Sequence, residues 1–236
     1  MPELTMEERI EAAALRAHRA NAYREIQNAA AGHLYSYRAQ KQLNEINTYW
    51  CRERDDIMYF GAKGHKEVLD FYWYGNMHMR TEKLKIVHEH YPQIEVCPEN
   101  DGMGDMVAKC AAMPYIEIAE DGRSACATWL SPGMVCEVGP DGKPKPAFMQ
   151  ERLSLHLMSE SDYWRILELN LNMDFITNLP SKFVCSDDYA GRTFDLFEKN
   201  EDGPRPRPYS VTKKADYDPP MPKPYATWSD DMSMVK

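Results

Sequence analysis

The chain has 236 residues and a mass of 27.3 kDa, enough for one large domain or for a medium domain with an extension. Apolar residues make up 43% and aromatics 11%, so a core can form and disorder throughout is excluded. The net charge of -9 comes with only short basic clusters, Lys213 with Lys214 and Lys143 with Lys145, so nucleic acid is not an expected partner.

No apolar run reaches the roughly 18–20 residues that span a bilayer, and no membrane partner is expected. The opening MPELTMEERIEAAALRAHR mixes acidic and basic residues and lacks the apolar stretch of a signal peptide, so a cytoplasmic location is the expectation. The 6 cysteines, at Cys51, Cys97, Cys110, Cys126, Cys136 and Cys185, form no C-x-x-C pair and have no His at zinc-finger spacing. They read as free, mostly buried thiols.

In chain order, Thr5 and Glu8 have the capping-box spacing. A helix rich in Ala, Glu, Arg and Leu follows and continues through HLYSYR, with Ile10, Ala14, Leu15, Ala17 and Ala22 as its apolar positions. Leu43, Ile46, Tyr49 and Trp50 predict a second, short helix. Asp56 to Phe60 is a short β-type run. A third helix opens at Gly64 with Val68, Leu69, Tyr72 and Trp73 on one face; residues 80–91 extend it or form another, and Pro92 stops it. Residues 93–97 read as an edge strand.

From Asp105 the pattern changes to strands. Residues 106–112 form one, and Tyr115 to Ile118 runs into the turn Glu120-Asp121-Gly122. Ser124 to Leu130 returns, Ser131-Pro132-Gly133 bends it, and residues 134–138 continue. In 148–158, Leu153, Leu155 and Leu157 alternate against Arg152, Ser154 and His156. In 163–175, Leu167, Leu169, Leu171 and Met173 alternate against Glu168, Asn170, Asn172 and Asp174. Such alternation predicts one buried face per strand. Helices followed by antiparallel strands predict an α+β fold, the helices packed on one face of a curved sheet. Half of the 16 prolines follow residue 179, interleaved with Tyr189, Phe194, Phe197, Tyr209, Tyr217, Tyr225 and Trp228. That composition predicts an extended arm wrapped on its own domain or on a neighbouring subunit.

Four stretches, in this order and spacing, resemble the SnoaL-like branch of the nuclear transport factor 2-like superfamily over residues 20–176. They are the helical Ile26-to-Ile46 region with Trp50 and Asp55-Asp56-Ile57; Gly64 opening HKEVLDFY; PYIEIAEDGRSACATWLSPG; and SDYWRILELNLNMDF. The resemblance implies a cone-shaped barrel, a strongly curved antiparallel sheet wrapped around the N-terminal helices over a mostly apolar pocket. A helical lead, 1–20, would precede it and the Pro-rich arm, 177–236, would follow. The family's enzymes mostly work without metal or organic cofactor, by acid–base chemistry with His, Asp and Tyr, and none is expected here. Members include dehydratases, isomerases, cyclases, carbon–carbon lyases and non-catalytic binding modules, so the fold does not choose the reaction. The family's habit of pairing sheet faces implies a homodimer or homotrimer, with the arm on a neighbouring subunit.

His33 and Tyr37 lie four apart on the first helix and so share a face. With Tyr35, they are candidates for an acid–base set; the alternative is a core edge with no chemistry. Arg38 stands where family members often carry an acid, and is a candidate for holding an anionic substrate group. Lys109 stands near the family's second catalytic His position, with solvent as its other reading. His156 is the alternative base, with Asn170 as a hydrogen-bond donor, if the polar face of the late strands lines the pocket. Asp56, Trp73 and Trp129 complete the candidate substrate-binding set, and no metal ligand set is evident. No P-loop, G-x-G-x-x-G, G-x-S-x-G or H-E-x-x-H is present. The expectation is a cofactor-independent lyase of dehydratase type acting on a hydrophobic, ring-containing small molecule. A binding or assembly module and a double-bond isomerase are the alternatives.

Overall fold

The computed structural model describes residues 4–38, 41–161, 163–179 and 225–232. The first helix, α1 (Met6–Arg38), starts at the expected capping box: Thr5 Oγ1 accepts from Glu8 N at 3.2 Å and Glu8 Oε2 from Thr5 N at 2.7 Å. Only its second half is buried, through Ala22, Ile26, Ala29 and Ala30. The expected stripe does not hold in the first half, where Ile10 is 62% exposed. A short α2 (Gln42–Tyr49) folds back on α1.

Residues 64–90 form one continuous helical run. It begins as α3 (Gly64–Val68), widens into a π-helical turn over Leu69–Gly75, and ends as α4 (Asn76–His90). The wide turn carries the aromatic run FYWY and seats Tyr72 fully inside the core. The edge strand expected over 93–97 does not form. Local bonds from Cys97 N and Asn100 Nδ2 to the Glu95 carbonyl hold this stretch in turns instead.

The described residues form seven strands: β1 (Met58–Tyr59), β2 (Ala62–Lys63), β3 (Met106–Lys109), β4 (Ala112–Ile118), β5 (Ser124–Val138), β6 (Pro144–Glu160) and β7 (Tyr163–Asn178). The order is β2-β1-β7-β6-β5-β3, with β4 also paired to β5. The α+β class is as expected, but the sheet is mixed rather than antiparallel, because β1 runs parallel to β7. Nor does it close: β2 ends one side and β3 and β4 the other. The expected strand over 106–112 splits into β3 and the start of β4, while β5 runs unbroken through Ser131-Pro132-Gly133. Gly133 permits this, since a Cβ there would lie 2.7 Å from the Ala108 carbonyl oxygen of the paired β3.

The sheet curls around α1, which touches β7 at one side and β3 and β4 at the other. Its inner face carries Trp129, Leu153, Leu155, Leu157, Ile166, Leu169 and Leu171, packed on Ile26, Tyr72 and Trp50. The outer face carries Ser154, His156, Glu168 and Asn170, which are also buried. The expectation of one buried face per strand therefore fails at the middle of β6 and β7. Residues 225–232 lie over this face: Glu120 N donates to the Tyr225 carbonyl at 3.0 Å and Asp121 N to that of Ala226 at 3.2 Å. The rest of the expected arm, with Tyr189, Phe194, Phe197, Tyr209 and Tyr217, is outside the described residues. Among the described residues no helix is long and apolar enough to cross a membrane.

The α1–α2 contact yields one stability prediction. Gly32 faces the Tyr49 ring so closely that an added Cβ would run into it. Gly32→Ala should therefore cost about 1–3 kcal/mol by overpacking, against the small gain that Ala normally brings to a helix. A thermal melt checks this, and an unchanged or raised Tm would refute the close packing.

Candidate functional site

A cavity of about 80 Å³ opens between α4, β3 and β5, roofed by Tyr37 at the end of α1. A second one of about 60 Å³ adjoins it and shares Tyr37, Asn76, Met79, Lys109 and Met149. Since one water needs about 10–15 Å³ of such space, each holds several waters or a small organic group. Met79, Val107, Val135, Met149 and Ile176 supply apolar walls, and Tyr59, Phe60 and Phe71 an aromatic floor. Phe60 reaches this floor from the β1–β2 turn with φ of 49°, a left-handed conformation that costs a non-glycine residue about 1–2 kcal/mol.

Charged groups enter this apolar space in pairs. Lys109 Nζ lies 2.9 Å from Glu151 Oε2, with side chains 9% and 2% exposed, and Ser131 Oγ donates to Glu151 Oε1 at 3.3 Å. The Lys109 ammonium also stands 5.3 Å from the centre of the Tyr37 ring. Burial works against the ammonium, but Glu151 and its hydrogen bond outweigh this and hold Lys109 charged, its pKa raised. The Tyr37 phenol is raised by burial, only partly offset by Lys109, so it is a proton donor at neutral pH. At the mouth, Lys83 Nζ bonds Glu137 Oε1 at 2.6 Å and Asp105 Oδ2 at 3.2 Å. Burial pushes the Asp105 carboxyl up to about 6 against the opposing pull of Lys83, and its Oδ1 is buried with no hydrogen-bond partner. Arg80 donates to Gln42 Oε1 at 3.0 Å and through Nε to Asp101, while stacking 5.4 Å from the Trp73 ring.

Beneath Tyr37 lies a sealed polar knot. Glu45, wholly buried, receives His33 Nδ1 at 2.8 Å and Trp50 Nε1 at 3.1 Å on one oxygen, and Tyr72 Oη at 2.6 Å on the other. The Tyr72 phenol is held well above its ordinary value, by burial first and by Glu45 second. Tyr37 stacks on Tyr72 with ring planes 6° apart.

The structure brings together Tyr37 and Lys109 of the expected site residues and disperses the others. His33 is 2% exposed and spoken for by Glu45, so it does not face the cavity as a base. Tyr35 is 72% exposed and Arg38 is exposed, because both lie on the face of α1 turned from the sheet. His156 and Asn170 are on the outer face: the leucines, not the polar residues, pack on the helices. Asp56 forms a two-bond pair with Arg54 at 2.8 and 2.6 Å, which lowers its pKa, and it does not line the cavity. Trp73 lines a separate surface cleft with Met77, Thr81 and Cys97. Trp129 is core, its Nε1 3.5 Å from Gln27 Oε1. Lys109 is buried rather than solvated, and its charge is strengthened rather than lost, which makes it a donor and not a base.

Sequence reasoning misses Asp105, Lys83 and Glu151, which line the cavities, and Glu45 in the knot beneath them. Glu151 has a readable signal, since it falls in phase with Leu153, Leu155 and Leu157 on the apolar face. Among the described residues no group of three or more His, Cys, Asp or Glu is placed to hold a metal ion.

Fold and site together define an α+β protein whose curled, open mixed sheet and helices enclose a cavity lined by buried ion pairs. No protein-family model and no curated protein matches the chain. Among solved structures it is similar to the hexachlorocyclohexane dehydrochlorinase LinA-type3 from Novosphingobium barchaimii LL02, at 12% identity and TM-score 0.47, over 73% of this chain and 99% of that one. It is similar to a putative scytalone dehydratase from Novosphingobium aromaticivorans DSM 12444, at 10% identity and TM-score 0.48, over 75% and 98%. A third likeness is to Rv3472, a protein of unknown function from Mycobacterium tuberculosis, at 13% identity and TM-score 0.46, over 80% and 94%. At these identities no residue role is carried across.

Proposed function

We propose that the chain is a cofactor-independent lyase of dehydratase type, with the cavity between α4, β3 and β5 as its active site and a hydrophobic hydroxy-carbonyl compound as its substrate. Asp105 carries this reading: a buried carboxyl pushed up to about 6, with one oxygen unpartnered, on the wall of an apolar cavity. Asp105 takes a proton from the carbon beside the substrate carbonyl. Lys109 and Tyr37 donate to the oxygen on which charge develops and to the departing hydroxyl. The C–H electron pair becomes the new double bond as the C–O bond breaks and water leaves.

Incubating the full chain with a panel of ring-bearing hydroxy-carbonyl compounds tests this, with water loss read by mass spectrometry. Turnover is expected, with kcat/KM rising as pH passes through about 6, where Asp105 becomes the base form. Asp105→Asn should lower kcat about 10²-fold or more. An acid limb that survives in Asp105→Asn would remove Asp105 from the reaction. The same shift has a stability sign: the folded carboxyl binds its proton more tightly than an unfolded one, so this group's contribution to stability falls as pH rises from about 4 to about 6.

One observation favours a binding module instead. Lys109 and Glu151, a buried one-to-one ion pair, already balance their charges without a ligand. Saturable binding without turnover would select that reading, and a product of unchanged mass would select an isomerase.

A further inference from the structure

The outer face of the sheet holds a second set of reactive groups that the cavity chemistry does not use. Cys126 on β5, His156 on β6 and Glu168 on β7 are direct cross-strand partners, so their side chains stand in one row on one face. His156 Nδ1 lies 2.8 Å from Glu168 Oε2, and Cys126 stands directly opposite His156 on the neighbouring strand. A carboxylate that orients an imidazole, which in turn contacts a thiol, is the arrangement that activates a cysteine nucleophile.

Residues 225–232 cover this row. Tyr225 Oη donates to Ser124 Oγ at 3.1 Å, and the Trp228 ring meets His156 edge-on at 4.7 Å. Two polar atoms around the row are buried without a hydrogen-bond partner: Oδ1 of Asn170, a residue 5% exposed and two positions along β7 from Glu168, and Nε1 of Trp228 in the strap itself. Buried polar atoms ordinarily find partners, so an acceptor and a donor left unmet on this covered face point to a ligand that supplies them.

We propose that Cys126, His156 and Glu168 form a second site, covered by the strap 225–232, in which the Cys126 sulfur adds to an α,β-unsaturated carbonyl compound. The sulfur forms a bond to the β carbon as the carbon–carbon π pair moves toward the carbonyl. The proton held by His156 then passes to the α carbon. Nothing leaves, and no oxidant or reductant is consumed.

The groups facing His156 are Cys126 from β5 and Glu168 from β7, with Trp228 from the strap, whose Tyr225 bonds Ser124 two residues before Cys126. Burial alone would lower the imidazole, but Cys126 and Glu168 raise it to about 9, so it carries its proton at neutral pH. Cys51 is the contrast: it is buried beside Glu160, its pKa is raised, and its bond goes to the Arg165 carbonyl.

N-ethylmaleimide, itself an α,β-unsaturated carbonyl compound, tests the proposal on the full chain, with adducts located by peptide mass spectrometry. Exposed Cys110 serves as the internal reference. Trp228→Ala should raise the Cys126 labelling rate about tenfold or more relative to Cys110, by loosening the strap. Adding His156→Gln in that background should slow Cys126 about 10²-fold while leaving Cys110 unchanged. If Trp228→Ala loses the native circular dichroism, Tyr225→Phe replaces it as the milder opening. Cys126 labelling that is insensitive to the strap variants, or equally fast without His156, overturns the proposal.

Discussion

Glu45→Ala is expected to destabilise the protein by about 3–5 kcal/mol, the usual cost of removing one partner from a buried polar pair. Three donors converge on this one wholly buried carboxyl: His33 Nδ1 from α1, Trp50 Nε1 from the residue after α2, and Tyr72 Oη from the π-helical turn. Without it, Trp50 Nε1 loses its acceptor, and His33 and Tyr72 keep only their mutual 3.4 Å contact, at about 1–3 kcal/mol for each bond lost before relaxation. Glu45→Gln should cost less, since its carbonyl still accepts on one side while its amide faces a donor on the other. Urea unfolding reads both through the midpoint at constant m. A shift below about 1 kcal/mol in the alanine variant would mean that the knot contributes little to holding the helices together.

The second large effect is on activity. Lys109→Met should lower turnover about 10²–10⁴-fold by removing the charged donor at the cavity floor. It should also destabilise by about 3–5 kcal/mol, because Glu151, 1% exposed, is left without its counter-charge. The two effects separate in the double variant Lys109→Met with Glu151→Gln. There the stranded charge is gone, so most of the stability returns while turnover stays low. A double variant that turns over like wild type would remove Lys109 from the chemistry.

The end of α1 shows why the candidate site is only partly legible in the sequence. Spacing correctly puts His33 and Tyr37 four apart on one side of that helix, and their rings are 6.2 Å apart. Spacing does not reveal that His33 meets Glu45 of the next helix while Tyr37, one turn further on, reaches the cavity. That division is set by α2 folding back over the end of α1. The late strands repeat the lesson. Alternation separates leucines from polar residues without saying which set faces the helices, so the pocket roles expected of His156 and Asn170 fail. Lys109 and Glu151 are 42 residues apart, on strands that both flank β5, and no local pattern announces their pairing.

What the sequence by itself determined is therefore local: a capped first helix, a helical run opened by Gly64, long strands with their turns, and the α+β class. Those follow from residue periodicity, caps and turn chemistry, which act over a few residues. The tertiary structure alone decided that β1 joins the sheet parallel to β7 and that the leucine face turns inward. It also decided which charges share the cavity. These depend on the sheet curling round α1, which brings β3, β5 and β6 together with α4 at one end. Burial there forces each charge to find a partner from a distant part of the chain, and that choice of partners sets which groups hold protons near neutral pH.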